Sequence, residues 1–241
     1  MLTKPAVEGR VKTRLGAALG MGVSARGHEA FLEDLSALVA SLKARLEGLS
    51  FELCVAGACG EVGGGAGLPV HPSLRSLWEL AEVRSEQVEG GLGLRLRDVF
   101  ERGFEGGMRS VVVVGSDSPT LPEALVEGAF ELLDRGADVV FGPSMDGGYY
   151  LVGASSWRSG LFDGIPWSTA EVLRASVTVA LGLGLRVDLC PVWYDVDELL
   201  DVSLLKHSLG REPSFLPGRG SPACRHTASW LSSLEAGEGA E

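Results

Sequence analysis

The sequence predicts an α/β fold in which helices alternate with strands of a mostly parallel sheet. Two observations predict it. The run Val111-Val112-Val113-Val114, closed by Gly115, is an unbroken apolar stretch of the kind found in strands covered on both faces. Along the rest of the chain, segments with apolar residues every three or four positions alternate with short apolar runs bounded by Gly and Pro. At 241 residues the chain suits one principal domain, expected over 1–210, followed by an extension over 211–241.

The elements follow in order. Phe31, Leu35, Leu38, Leu42 and Leu46 recur at helical spacing and predict an amphipathic helix over 24–46. FELCVAG (51–57) reads as a strand, and GEVGGGAGLP (60–69) as a surface loop. LGLRLRDVFERGFEGG (92–107) has helical periodicity and stops at paired glycines. After the valine strand, Thr120 and Glu123 have capping-box spacing and open a helix to about Asp134. ADVVFGP (137–143) and GYYLVGA (148–154) are further strands, with Asp146-Gly147-Gly148 as the turn between them. Ser168 and Glu171 repeat the capping-box spacing before VLRASVTVALGLG (172–184). LRVDLCPVW (185–193) supplies the last strand and DELLDVSLLKHSL (197–209) a short helix. From Arg211 the composition turns to Pro, Gly and Ser; HTASWLSSL (226–234) is expected as a small docked helix and EAGEGAE (235–241) as a flexible acidic tail.

Composition excludes several classes. A net charge of -11 and a pI near 4.9 disfavour binding to a phosphate backbone, so no nucleic-acid partner is expected. No run approaches the ~20 apolar residues that span a bilayer, and no secretory leader is visible, so a cytoplasmic protein is expected. Cys54, Cys59, Cys190 and Cys224 form no metal-binding pattern and are expected as reduced thiols. His28, His71, His207 and His226 are scattered, with His28 and His207 expected on helix surfaces. There is no phosphate-binding GxxxxGK[ST] loop, EGGLGLRL lacks the third glycine of a dinucleotide fingerprint, and GSDSP is not a GxSxG elbow.

In open α/β sheets, ligands gather at the carboxyl ends of the strands. Asp117 follows the valine strand, Asp195 and Asp197 follow the last strand, and Asp146 stands in the Asp-Gly-Gly turn. Carboxylates brought together repel, by about 4 kcal/mol for a pair ~4 Å apart at an effective dielectric near 20. A shared proton, a lysine or a divalent cation must offset this. With oxygen ligands only, the cation expected is Mg²⁺ or Mn²⁺, which keeps waters and takes oxygens from a bound phosphate. The stretch KPAVEGRVKTRL (4–15) concentrates Lys4, Arg10, Lys12 and Arg14 in an otherwise acidic chain. It is expected as a phosphate clamp facing the carboxylates.

KPAVEGRVKTRL, GSDSPTLP, GPSMDGGYYLVG, GIPWSTAEVL and YDVDELLDV, in that order over residues 3 to 205, resemble a bacterial family of GT-A-like glycosyltransferases. Some members of it are labelled arsenosugar-biosynthesis glycosyltransferases. The resemblance implies a Rossmann-type three-layer α/β/α sandwich within the nucleotide-diphospho-sugar transferase superfamily. It implies a metal held by Asp117 with Asp197 or Asp195, and nucleotide phosphates met by Arg10, Lys12 and Arg14, with Lys4 and Ser116 in the same substrate-binding set. Asp146, Gly147, Gly148 and Tyr149 would line the sugar or acceptor side, with Asp146 orienting or deprotonating the acceptor hydroxyl. Trp167 would stack on sugar or base, or serve as core. The reaction implied is metal-dependent transfer of a sugar from a nucleotide-diphosphate sugar to a small acceptor. The alternatives are a nucleotidyltransferase that couples an NTP to a phosphorylated small molecule, and a non-catalytic nucleotide-binding relative. Two departures stand out: only Met1-Leu2-Thr3 precedes Lys4-Pro5, so the first strand is very short or the start lies upstream, and GSDSP carries one Asp where many GT-A enzymes carry Asp-x-Asp.

Overall fold

A computed structural model describes residues 1–56, 70–209 and 224–236. The glycine-rich stretch 60–69, Cys59 and most of the acidic tail lie outside the described residues. The chain divides into two compact units, one of Met1–Glu86, Ser116–Glu123 and Asp195–Glu241, the other of Gln87–Gly115 and Ala124–Tyr194.

The first unit holds a parallel sheet of β1 (Leu2–Thr3), β2 (Glu52–Val55) and β3 (Val83–Glu86), in that order. β1 is only two residues long. Leu2 pairs with Cys54 and Thr3 with Val55, and the Met1 amino group donates to the Glu52 carbonyl at 2.7 Å. Between β1 and β2 run α1 (Thr13–Leu19) and α2 (Met21–Arg45). Of the apolar stripe predicted for α2, Phe31, Leu35, Leu38 and Leu42 are buried, while Leu46 caps the helix and is half-buried. The periodicity places this helix well because its stripe must be covered along its whole length. α1 was not expected, since its short sequence TRLGAAL has no apolar stripe and gives only Leu15 and Gly16 to the interior. α3 (Arg75–Leu80) and β3 also went unread; β3 is a largely exposed edge strand, VRSE, with no apolar alternation to mark it.

The same unit contains α7 (Leu199–Ser208) and α8 (Arg225–Glu235). α8 lies on α2 through specific contacts. Asp34, a buried carboxylate on α2, accepts from the backbone N–H groups of His226 (3.1 Å) and Thr227 (2.8 Å), which satisfies donors that a helix start leaves open. Trp230 is buried against Phe31 edge-on, with ring centroids 5.6 Å apart, and its indole N–H donates to the Val23 carbonyl at 3.1 Å. Gly27 permits this approach, because a Cβ there would stand 2.7 Å from the Trp230 ring.

The second unit is built on the sheet β4-β6-β5-β7: β4 (Val111–Val114), β5 (Val139–Pro143), β6 (Tyr149–Ala154) and β7 (Val187–Leu189). α4 (Leu92–Glu105), α5 (Glu123–Asp134) and α6 (Val172–Gly182) complete it. β5 and β7 are parallel, but β6 runs antiparallel to both β4 and β5. The five residues 144–148 allow nothing else, since a parallel return needs a crossover of a dozen residues or more. In the order of this sheet the valine strand lies at the edge, with Val113 buried and its three neighbours half-buried, instead of being covered on both faces. α5 begins at Glu123. The capping box expected before α6 does not form: Ser168 has φ 63°, and Glu171 takes the position before α6 without a side-chain cap. Cys54, Cys190 and Cys224 are buried thiols, none in a disulfide.

Trp230→Ala should destabilise the protein by about 3–5 kcal/mol in equilibrium urea unfolding, as expected for loss of a buried aromatic. A loss under about 1 kcal/mol would show that α8 is dispensable to the first unit.

Candidate functional site

The site grows from the loop between β1 and α1. Lys12 precedes the first residue of α1 in a left-handed conformation, φ 46° and ψ 41°. For a residue with a side chain that costs about 1 kcal/mol or more. Its side chain is only 2% exposed and its ammonium lies 5.6 Å from the centre of the Phe31 ring. A lysine so enclosed requires anionic partners.

Two carboxylates supply them. The Lys12 ammonium donates to Asp117 Oδ1 and, at 3.0 Å, to Asp197 Oδ1. Residues 105 and 185 positions away in sequence thus meet at one point in the first unit. Both carboxylates remain about half exposed, at 46% and 47%, so the cation lies inward and the acids face outward.

The segments carrying these acids are tied together. The Val196 N–H donates to the Asp117 carbonyl at 2.9 Å, and the Ser118 hydroxyl donates to Asp195. The sequence left Asp195 and Asp197 as alternatives; Asp195 is turned to Ser118, and Asp197 joins Asp117. Asp197 is not consumed as a helix cap either. That role falls to Glu198 and Asp201, which form a reciprocal capping box at the start of α7, and the Asp201 carboxylate also accepts from the Asp197 N–H at 2.9 Å. The capping box anchors Asp197's backbone and leaves its side chain to the site. Behind Asp117, the buried Ser116 hydroxyl accepts from Thr3 at 2.9 Å, which links the site to β1.

Charge states follow from this geometry. Burial works against the Lys12 charge, but the carboxylates of Asp117 and Asp197 outweigh it and hold the ammonium's pKa above its ordinary value. Burial also pushes the Asp117 carboxyl upward, and Lys12, with help from His28 and Lys4, reverses this and holds it below the usual carboxylate range. His28, expected on a surface, is instead buried on α2, 3.1 Å from the Lys4 carbonyl through Nε2, with Nδ1 unpaired. Burial first, and then the positive charge of Lys12, lower its pKa to about 4. At neutral pH it is a neutral imidazole that donates to the Lys4 carbonyl and steadies the basic loop. His207 is on the surface, as expected.

The other basic residues of the loop stand outward. Lys4 and Arg10 are exposed, and Arg14 makes an exposed pair with Glu198 at 3.7 Å. Such a pair contributes little to stability. Among the described residues, no group of three or more His, Cys, Asp or Glu side chains could hold a metal by itself. Asp117 and Asp197 do offer two oxygens within reach of one cation and an open outer side, which suits an ion that keeps several waters.

Asp146, Gly147, Gly148, Tyr149 and Trp167 belong to the second unit. Asp146 is exposed, and its Oδ1 accepts from the Gly148 N–H at 2.9 Å. Gly147 has φ 89°, and a Cβ there would fall 2.2 Å from the Ala170 carbonyl oxygen, so only glycine fits this turn. Tyr149 packs 5.2 Å from Phe141 and 6.3 Å from Trp167, ring centre to ring centre. Burial raises its hydroxyl well above the ordinary tyrosine value, so it stays protonated. Trp167 also closes on α4 at Gly93, where a Cβ would stand 2.8 Å from the indole nitrogen. What the sequence did not signal was the buried role of His28 and the part of Glu198 and Asp201 in placing Asp197; the spacing of Glu198 and Asp201, three apart in ELLDVSLL, was the available sign of the latter.

The depressed pKa of His28 means that the unfolded chain binds a proton more readily than the folded one between pH 6.5 and about 4. Stability from this group is complete above pH 6.5 and is lost as pH falls through that window. Urea unfolding at pH 7 and pH 4.5 should show a decline that is smaller in His28→Gln by about 2–3 kcal/mol. An equal decline in both proteins would contradict a neutral buried imidazole.

The chain matches a family model described as "Uncharacterized protein conserved in bacteria (DUF2064)" over residues 71–169. No curated protein sequence matches it. Among solved structures it is similar to a "putative nucleotide-diphospho-sugar transferase" from Desulfovibrio desulfuricans G20, at 32% identity over 98% of this chain and 94% of that one, with a TM-score of 0.75. It is also similar to glucosyl-3-phosphoglycerate synthase from Mycobacterium tuberculosis, at 15% identity over 88% and 80% of the two chains (TM-score 0.46). A third likeness is to molybdopterin-guanine dinucleotide biosynthesis protein A from Archaeoglobus fulgidus, at 12% identity over 86% and 96% (TM-score 0.42). Those two are too distant to bear on this site. At 32% identity over nearly its whole length, the chain belongs to the GT-A-like family of nucleotide-diphospho-sugar transferases to which the Desulfovibrio protein belongs.

Proposed function

We propose that the protein transfers a sugar from a nucleotide-diphosphate sugar to a small acceptor, with Mg²⁺ or Mn²⁺ at Asp117 and Asp197. The observation that carries this reading is the convergence of these two carboxylates on one cationic point beside the basic loop. Family membership supports the substrate class, because the Desulfovibrio relative bears the name of a nucleotide-diphospho-sugar transferase.

In this reading Asp117 and Asp197 hold the divalent ion through their open sides. When bound, the ion would neutralise charge that builds on the diphosphate leaving group. Arg10 and Arg14, exposed on the loop and at the start of α1, bind the outer phosphate oxygens and orient the diphosphate; Lys4 adds positive charge at the base of the loop. His28 keeps that loop in place through the Lys4 carbonyl. Asp146, exposed in its turn, is assigned to the acceptor hydroxyl as orienting group or base, and Tyr149, Trp167 and the backbone of Gly147 and Gly148 to the sugar side. Tyr149 cannot itself serve as the base, since its hydroxyl remains protonated.

A nucleoside diphosphate at one hundred times its Kd should add about 2.7 kcal/mol of stability. In thermal-shift measurements this stabilisation should require Mg²⁺ or Mn²⁺ and vanish in Asp117→Asn. Turnover with a nucleotide-diphosphate sugar should release the nucleoside diphosphate. Release of pyrophosphate from an NTP and a phosphorylated acceptor would overturn sugar transfer in favour of nucleotidyl transfer. Stabilisation equal with and without metal would overturn the carboxylate site.

A further inference from the structure

We infer that Lys12 is a resident cation that makes divalent-metal binding conditional on a bound diphosphate. The inference rests on the metal reading of Asp117 and Asp197 and concerns how that site is regulated. A phosphate-clamp lysine should point outward beside the arginines, yet the Lys12 side chain is 2% exposed and its ammonium bonds both carboxylates that would hold the metal. The neighbouring Arg10 and Arg14 are exposed, so inward placement is particular to Lys12. It is held there at a backbone cost, since the residue adopts a left-handed conformation, and its charge gains some favourable contact with the Phe31 ring.

The electrostatic consequence is direct. With Lys12 in place, the pair carries a net charge near minus one instead of minus two, and one oxygen of each acid is already engaged. A divalent ion arriving alone meets a weakened, half-occupied ligand pair with an ammonium a few ångströms away, where like-charge repulsion is strong. A diphosphate changes the balance by bringing its own oxygens to the metal and new negative charge to Lys12. Metal and diphosphate therefore bind as a unit, and the free protein does not accumulate metal at two half-exposed carboxylates. No covalent step is involved.

Mn²⁺ binding followed by electron paramagnetic resonance, with and without a nucleoside diphosphate, tests this without reference to turnover. Wild-type protein should bind Mn²⁺ weakly alone and much more tightly with the nucleotide. Lys12→Met, and Lys12→Gln as a variant that keeps a hydrogen-bond donor for the acids should the first fail to fold, should bind Mn²⁺ alone at least about tenfold more tightly than wild type, a small part of what removing a unit charge at that range allows. Adding Asp197→Asn to the Lys12→Gln protein should abolish the gain and so fix the ion at the pair. If wild type binds Mn²⁺ with nucleotide but the Lys12 variants gain nothing, the resident-cation role is overturned and the metal site stands. If no protein binds Mn²⁺ even with nucleotide, both fall.

Discussion

A single buried ammonium bonded to two acids ties together the β1–α1 loop and the segments of Asp117 and Asp197 in the first unit. Lys12 cannot be enclosed without anionic partners, and the repulsion between Asp117 and Asp197 is offset by the ammonium to which both are bonded. The neighbouring details serve it: the left-handed turn at Lys12, the Val196 to Asp117 backbone bond, the Ser118 to Asp195 bond and the capping box of Glu198 and Asp201. His28 fixes the carbonyl of Lys4 at the root of the same loop and stays neutral because burial and the nearby ammonium both oppose its protonation.

The sequence made the acids legible because strand ends in α/β folds are short and few, so Asp117 and Asp197 stood out by position. It also showed that something must neutralise them, and a lysine was one of three candidates. Which one could not be read, because the answer depends on the backbone conformation at Lys12, and a left-handed lysine has no sequence mark. Which of Asp195 and Asp197 joins Lys12 was hidden for a similar reason: both follow the same strand, and their partners, Ser118 for Asp195 and Lys12 for Asp197, are far off in sequence.

Fold reading succeeded where burial imposes a period and failed where it does not. α2 followed from its apolar stripe, whereas α1 and β3, mostly exposed, left no pattern to find. The valine strand showed the opposite failure. Its composition implied cover on both faces, but in its sheet it has one neighbour, β6, which returns antiparallel after a five-residue turn. Turn length was the better guide to strand direction than apolar content. Motif order along the chain was the most informative signal, since five short stretches in sequence reach the family that the 32% identical Desulfovibrio protein shows.

Lys12 and Asp197, 185 positions apart in the chain, should be energetically coupled. A double-mutant cycle of Lys12→Met and Asp197→Asn, read by equilibrium unfolding at low salt, measures that coupling directly. An interaction of at least about 1 kcal/mol is expected, with the double variant less damaged than the single losses summed. Additivity within about 0.3–0.5 kcal/mol would contradict it.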